Sequence, residues 1–306
     1  MKIVDVDDLS TEQFGHDEGL DAMDTTEILQ RMNRSDRSVP DAVAGAIPDV
    51  ARAVESIAER MARGGRLIYI GAGSSGRLGV LDAAECPPTF GISSDLVVGV
   101  IAGGDSAIRH AVENAEDSLE QGEGDIKELR VTERDTVVGI SASGRTPYVM
   151  GALKYAKSCG ALTVAISNNV NSKIGILSDI AIDVETGPEV LAGSTRLKAG
   201  TAQKLVLNMI STAVMVRLGK VYRNLMVDMR PTNQKLERRA RRIVAAACQC
   251  SDENADALFR AASGNIKAAI VMGILKIQYD EAVQRLYQAG GYVRAAVKGI
   301  WEDGVQ

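Results

Sequence analysis

Apolar residues follow two different rhythms along this 306-residue chain. Short uninterrupted apolar runs bounded by glycine or polar residues are typical of buried strands, whereas apolar residues at steps of three and four are typical of helices. Helical patterns separate the runs, so the sequence predicts an α/β fold with a five-stranded parallel sheet flanked by helices. The predicted strands lie near residues 66–70, 96–101, 136–140, 162–166 and 180–184.

The clearest helical pattern begins at Asp41 and ends at Gly64-Gly65. Its apolar residues recur at steps of 4, 3, 4 and 3 and predict one buried face; they are Val43, Ile47, Val50, Val54 and Ile57. Further helices are predicted after the first strand, where Pro87 and Pro88 should end the helix, and over 106–119, 147–158 and about 201–218.

The pattern changes twice along the chain. Residues 1–40 are polar and acidic, which indicates an arm that lies on another part of the protein. Residues 41–225 carry the strand–helix alternation, and residues 226–306 carry helical patterns alone. The sequence therefore predicts an arm, a sheet domain and a small C-terminal all-helical domain.

A glycine-rich turn, Gly71-Ala72-Gly73-Ser74-Ser75-Gly76, follows the first strand. Glycines let the backbone approach a ligand, and the N-terminus of the next helix attracts anions. The glycine spacing also fits a dinucleotide loop, but the acidic residue expected about 20 residues later is absent. Because two serine hydroxyls suit a small phosphate ester, we predict a phosphomonoester cradle formed by Gly73, Ser74, Ser75 and Gly76.

A second turn of the same kind, residues 141–147, follows the third strand. In a parallel sheet, ligands bind beyond the carboxyl ends of the strands, where both turns emerge. The candidate phosphate contacts here are Ser141, Ser143, Gly144 and Thr146, although the serines could also serve only as helix caps. Arg77 and Arg145 are either phosphate ligands or surface residues, and the sequence leaves that choice open.

Composition and charge exclude several classes of function. The formal net charge of -5 argues against nucleic acid as a partner, and no apolar run approaches the length of a membrane span. Residues 1–8 lack the features of a signal peptide, so we expect a cytoplasmic protein. Four cysteines and two histidines lack metal-ligand spacing, so no metal is expected and the chemistry should come from carboxylates, hydroxyls and cations.

Three segments, residues 71–90, 141–147 and 193–204, closely resemble those of the N-acetylmuramic acid 6-phosphate etherases. This family belongs to the sugar isomerase (SIS) domain superfamily, and the likeness covers nearly the whole chain. Ala-Glu-Cys-Pro-Pro-Thr-Phe at 84–90 is the most specific motif, because ordinary SIS domains lack it. Ala192 and Val170 depart from the family pattern without weakening the resemblance.

The resemblance implies that a homodimer without a cofactor cleaves the D-lactyl ether of N-acetylmuramate 6-phosphate, giving N-acetylglucosamine 6-phosphate and D-lactate. It places two catalytic glutamates at Glu85, the proton donor, and Glu116, with Glu113 as the competing choice one turn earlier. An unperturbed glutamate is only about 0.2% protonated at pH 7, so the acid needs a poorly solvated place. Lys198 either meets the lactyl carboxylate or caps a helix.

Two other functions suit the same fold. A sugar-phosphate aldose–ketose isomerase needs the phosphate cradle and a base, but no acid for a leaving group. A non-catalytic sugar-phosphate-binding regulator should tolerate loss of one carboxylate, whereas both are present here. The motif at residues 84–90 therefore favours the etherase.

Overall fold

The computed structural model describes residues 9–15, 19–229, 231 and 233–298. The N-terminal residues 1–8, which we used to argue against a signal peptide, and His16 lie outside this part of the chain. Two compact units are present: residues 1–84 with 94–213, and residues 85–93 with 214–306.

The first unit is built on five parallel strands in the order β2-β1-β3-β4-β5. The predicted five-stranded parallel sheet is therefore confirmed. From β1 the chain first moves to one side of the sheet to form β2 and then to the other side to form β3, so β1 and β3 flank the topological switch point. The strands are β1 Leu67–Gly71, β2 Val97–Ile101, β3 Thr136–Ser141, β4 Leu162–Ser167 and β5 Ile180–Asp183.

Helices precede, connect and follow these strands, and a short 3-10 helix lies at Leu20–Ala22. Asp24 and Glu27 form a capping box at the start of the first α-helix, since each side chain accepts a hydrogen bond from the other residue's backbone. The helices are α1 Thr25–Asp36, α2 Val39–Ala62, α3 Gly73–Phe90, α4 Ser106–Arg109, α5 Leu119–Glu128, α6 Pro147–Ser158, α7 Lys173–Leu177 and α8 Lys198–Arg217.

Helix α2 packs its apolar face against β4 and β5. Four of the five residues predicted for that face are buried, but Ile47 is 49% exposed. The buried stripe passes through Ala46 instead, because the steps from Val43 to Ala46 and on to Val50 keep one helix face.

Two helix predictions were wrong. Helix α3 does not stop at Pro87 and Pro88 but continues to Phe90, and the Gly91 N–H donates to the Pro87 carbonyl at 2.9 Å. A proline lacks only its own N–H, and its φ is helical, so two prolines in the last turn leave the later bonds in place. The helix predicted over 106–119 is interrupted: α4 ends at Arg109 and α5 begins after Ser118.

In the described part of the second unit, the helices are accompanied by a two-stranded hairpin, β6 Val221–Tyr222 and β7 Leu225–Met226, which the sequence pattern did not predict. The helical C-terminal region is confirmed. Cys248 ends the first of its helices and Gln249 turns the chain with φ 51°, so Cys250 lies beyond that helix. The helices are α9 Gln234–Cys248, α10 Asp252–Ala261, α11 Ile266–Leu275, α12 Tyr279–Gln288 and α13 Val293–Ala296.

Among the described residues, no single helix is long and apolar enough to cross a membrane. Helices α10 and α11 reach the required length and composition only together, and they are bent by 117° at the break between them.

Candidate active site

The first serine loop, Gly71–Gly76, joins β1 directly to α3. Close packing requires its glycines: a Cβ on Gly76 would lie 2.6 Å from the Gly71 carbonyl oxygen and 2.7 Å from the Ile101 side chain. Helix α3 begins at Gly73, and the Gly76 N–H already bonds to the Ala72 carbonyl. The N–H groups of Gly73, Ser74 and Ser75 therefore lie at the positive end of an 18-residue helix, which suits an anion.

The second serine loop, Ser141–Thr146, gathers three hydroxyls. The Ser141 Oγ lies 2.8 Å from the Thr146 Oγ1 and 3.3 Å from the Ser143 Oγ. The Gly144 and Arg145 N–H groups donate to the Ser141 and Ser143 hydroxyls at 3.0 and 3.3 Å. Because a hydroxyl can rotate its proton toward a new acceptor, this cluster can donate several hydrogen bonds to one bound anion.

Both loops emerge at one crevice. Strands β1 and β3 pair directly, with Gly71 opposite Ile140, and neighbouring strands lie about 4.8 Å apart. The eight residues predicted to bind phosphate therefore lie at the carboxyl ends of the two strands that flank the switch point. The structure thus brings together Gly73, Ser74, Ser75, Gly76, Ser141, Ser143, Gly144 and Thr146.

Glu116 lies beside this crevice in the loop between α4 and α5, and not on a helix. Its carbonyl accepts the Tyr148 N–H at 3.0 Å, and Tyr148 is the second residue of α6, directly after the second serine loop. The Tyr148 hydroxyl also donates to Asp125 of α5 at 2.5 Å. Burial raises the pKa of Tyr148, and the Asp125 carboxylate adds to that shift. Glu116 is exposed in the single chain, as is Glu113.

Arg77 explains why the predicted helix breaks before Glu116. Its Nε and one terminal nitrogen donate to the carbonyls of Ile108 and His110 at 3.1 and 3.3 Å. A continuing helix would need those carbonyls for its own N–H groups. Arg77 therefore braces the loop that carries Glu116, a role that the sequence analysis did not anticipate.

Glu85 is exposed on α3 and belongs to the second unit. In the single chain it does not occupy the poorly solvated place that we expected for the acid. Leu81, one helical turn earlier, is 52% exposed. Residues four apart lie on the same helix face, so the carboxyl group and a large apolar side chain share an uncovered surface of α3.

Lys198 is 7% exposed, and its Nζ donates to the Thr186 carbonyl at 2.8 Å. The carboxylate of Glu189 accepts the N–H groups of Lys198 and Ala199, each at 2.9 Å, and so caps helix α8. The charged end of Lys198 is thus used inside the protein, which favours the structural alternative.

A cavity of about 840 Å³ lies along the edge strand β2 and is lined partly by Gly103, Asp105, Ser118 and Asp125. Its lining, taken from the described residues, includes neither serine loop. The amides and hydroxyls suited to a phosphate ester lie in the crevice, so the chemistry favours the crevice over this cavity. Likewise, the described part of the chain contains no group of three or more His, Cys, Asp or Glu side chains able to hold a metal ion.

The sequence analysis missed two buried amides and one buried carboxylate. Asn168 and Asn169 looked like ordinary turn residues, yet they are 0% and 3% exposed and bond to the second serine loop. Asp82 of α3 is 5% exposed and accepts hydrogen bonds from Asn208 and Ser211 of α8 at 2.7 and 3.1 Å. A polar residue within an otherwise apolar pattern was the only available signal.

Comparisons with known proteins identify the domain that carries this crevice. Residues 49–157 match the family model of the glucokinase regulatory protein N-terminal SIS domain, and residues 120–213 match that of the SIS domain. A phosphoheptose isomerase from Francisella tularensis has a similar structure, with a TM-score of 0.50, 16% identity, 63% of this chain covered and 100% of the other. That likeness concerns the fold alone.

Sequence relatives are much more similar. "N-acetylmuramic acid 6-phosphate etherase 2" of Lactiplantibacillus plantarum is 56% identical over 278 residues, which cover 91% of this chain and 94% of the relative. The N-acetylmuramic acid 6-phosphate etherase of a Geobacillus species is 52% identical over 291 residues, covering 95% and 99%. The enzyme of the same name from Oceanobacillus iheyensis is 56% identical, covering 90% and 94%.

Proposed function

Because the chain belongs to the N-acetylmuramic acid 6-phosphate etherase family, we propose that it cleaves the D-lactyl ether of N-acetylmuramate 6-phosphate. The products are N-acetylglucosamine 6-phosphate and D-lactate, which makes the protein an enzyme of amino sugar catabolism. The observation that carries the proposal is the crevice with two serine loops, next to a loop whose glutamate carbonyl is bonded to the start of α6.

The chemistry sets three requirements. With C1 as an open-chain aldehyde, the C2 hydrogen is acidic, and a base removes it. The electron pair forms a C2–C3 double bond as the C3–O bond breaks, and an acid protonates the departing lactyl oxygen. Water then adds at C3, and a proton returns to C2. The phosphate needs an anchor that holds the sugar through both steps.

The two serine loops are our candidate anchor. The α3 amides at Gly73, Ser74 and Ser75 and the hydroxyls of the second loop are donors suited to a phosphate. Unphosphorylated N-acetylmuramate should therefore be a very poor substrate.

Glu116 is our candidate base at C2. The backbone carbonyl of Glu116 accepts the Tyr148 N–H, so the position of Glu116 is tied to the start of α6, the helix that comes after the second serine loop. We do not find an equivalent backbone bond for Glu113 among the hydrogen bonds of the described residues. Since both side chains are exposed, the backbone bond supports the choice of Glu116.

Glu85 is our candidate acid, supplied by the partner subunit of a homodimer. The Glu85 side chain is exposed in the single chain, so it is open to a partner subunit. A partner that covers the face shared by Leu81 and Glu85 would also desolvate the carboxyl group and favour its protonated form.

The apolar face of α2 is covered by β4 and β5 within the chain, so the exposed face of α3 is the better candidate for the dimer contact. Mixed dimers test this proposal. If the subunits share sites, an equal mixture of Glu85→Gln and Glu116→Gln chains, unfolded and refolded together, contains one intact site in each mixed dimer. Activity should then recover to about a quarter of the parent value. No recovery, in a mixture that forms dimers, would place both glutamates in one chain.

We also propose a cytoplasmic location. All four cysteines are free thiols. Burial, and to a smaller extent the charge of nearby Cys250, raises the pKa of the Cys248 thiol to about 12. Free structural thiols are typical of a reducing compartment. A phosphorylated sugar as substrate is also consistent with a cytoplasmic location.

The direct test is release of D-lactate from N-acetylmuramate 6-phosphate. We expect D-lactate in step with N-acetylglucosamine 6-phosphate, and very little from the unphosphorylated sugar. An isomerase would convert an aldose phosphate to a ketose without lactate, and a regulator would bind the sugar phosphate unchanged. Equal turnover with and without the phosphate would exclude the serine loops as anchor.

A further inference from the structure

The described N-terminal segment, Leu9–Gly15, lies at the carboxyl edge of the sheet. Leu9 and Thr11 are 3% and 0% exposed, and the Glu12 N–H donates to the Leu9 carbonyl at 3.0 Å in a tight turn. A Cβ on Gly15 would lie 3.4 Å from the Glu189 carbonyl, so the segment also passes the loop after β5. A segment of seven residues so close to the ligand edge requires an explanation.

Asn169 connects this segment to the second serine loop. Its Oδ1 accepts the N–H and the hydroxyl of Ser10 at 2.8 and 3.1 Å, and its Nδ2 donates to the Thr11 Oγ1 at 3.0 Å. The same Nδ2 donates to the Ala142 carbonyl, also at 3.0 Å. This side-chain amide uses all four of its hydrogen bonds and links two segments far apart in sequence.

Ala142 lies inside the second serine loop, between Ser141 and Ser143. Its carbonyl also accepts the Asn168 N–H at 3.1 Å, so both of its lone pairs are used. On the other side of the loop, a Cβ on Gly144 would lie 2.2 Å from the Ser172 Cβ, and φ there is +67°. The second serine loop is thus held between the close contact of the Gly144 backbone with the Ser172 side chain and the hydrogen bonds from Asn168 and Asn169.

We propose that the segment Leu9–Gly15 belongs to the substrate-binding machinery, with Asn169 as the positioning residue that transmits its support to the serine hydroxyls. The inference rests on the proposed function in assigning those hydroxyls to the substrate phosphate. Without the Thr11 acceptor, one amide hydrogen of Asn169 loses its partner in a buried place. The amide then reorients or its bond to Ala142 weakens, and the hydroxyl cluster becomes less well ordered.

Thr11→Val tests this at constant side-chain shape. We expect KM for N-acetylmuramate 6-phosphate to rise about 2- to 12-fold, as the loss of one hydrogen bond implies, while kcat changes little. Amide hydrogen exchange should become faster in the peptide that covers residues 141–147. The matched control is Thr132→Val, which removes a 3.2 Å hydrogen bond to Asp135 before β3, at the opposite edge of the sheet.

The control should lower thermal stability without changing KM or the exchange of residues 141–147. If Thr11→Val behaves like the control, the segment is only structural and the inference fails. If the parent releases no lactate, the proposed function fails, and hydrogen exchange alone still decides whether the segment orders the loop.

Discussion

The two serine loops follow adjacent strands and contain the same types of residue, yet they are built differently. In the first loop the helix begins at once, and its three leading amides have no helical acceptor. Neither Ser74 nor Ser75 has a side-chain hydrogen bond within the described part of the chain. In the second loop the hydroxyls bond to one another, and the Tyr148 N–H is already used by the Glu116 carbonyl.

This difference indicates a division of work. The first loop offers amides and hydroxyls with no internal role, so its side chains can change without loss of structure. The second loop is already organised and is connected to the Glu116 loop, to Asn169 and to the N-terminal segment. Serine-to-alanine substitutions in the second loop should therefore affect stability and substrate binding together, whereas those at Ser74 and Ser75 in the first loop should affect binding alone.

The largest expected effect is on the loop that α6 anchors. Glu116→Gln should lower D-lactate release by about 10²- to 10⁴-fold, because the amide cannot accept the C2 proton. Glu113→Gln, in the same exposed loop, is the matched control and should stay near the parent rate. Steady-state assays of both variants measure this, and the reverse result would assign the base to Glu113.

The next effect separates the two loops directly. Ser75→Ala and Ser141→Ala should each raise KM about 10- to 150-fold, since each removes a hydrogen bond to a charged phosphate. Only Ser141→Ala should also lower the thermal midpoint, because its hydroxyl bonds to Thr146 and to the Gly144 N–H. Differential scanning fluorimetry beside the kinetics tests the pair, and equal midpoints would contradict the division of work.

A smaller effect is expected at Arg77. Arg77→Met removes two bonds to the loop that carries Glu116, so kcat should fall about tenfold while KM stays constant. Arg145→Met is the comparison in the second loop. A rise in KM at constant kcat for Arg77→Met would instead identify Arg77 as a phosphate ligand.

The smallest effect concerns Asp82, the buried carboxylate that bonds α3 to α8. Burial raises the pKa of Asp82, although bonds from Asn208, Tyr69 and Ser211 and the charge of Lys204 oppose the shift. Since the folded state keeps this proton longer, the free energy of unfolding should decrease as pH rises above about 4, through the folded-state pKa. Urea unfolding from pH 4 to 8 should show a flatter profile for Asp82→Asn. An equally steep profile would exclude Asp82 as the source.

Periodicity and loop chemistry were sufficient to predict the sheet and both serine loops. Apolar runs and glycine–serine turns are both local signals, which a short stretch of sequence is enough to reveal. The Glu116 loop could not be predicted in this way, because Arg77 and Tyr148 come from other segments and donate to carbonyls that a continuing helix would use. The role of Asn169 was hidden for the same reason: its partners lie 27 and 158 residues away in sequence.

We propose that Glu116 takes the C2 proton and that Glu85 protonates the departing lactyl oxygen. The decisive experiment follows hydrogen exchange at C2 of N-acetylmuramate 6-phosphate in D₂O by NMR, together with D-lactate release. We expect Glu85→Gln to exchange the C2 hydrogen still but to lose lactate release, and Glu116→Gln to do neither. Exchange retained by Glu116→Gln and lost by Glu85→Gln would reverse the roles, and near-parent lactate release by both would contradict the two-carboxylate mechanism.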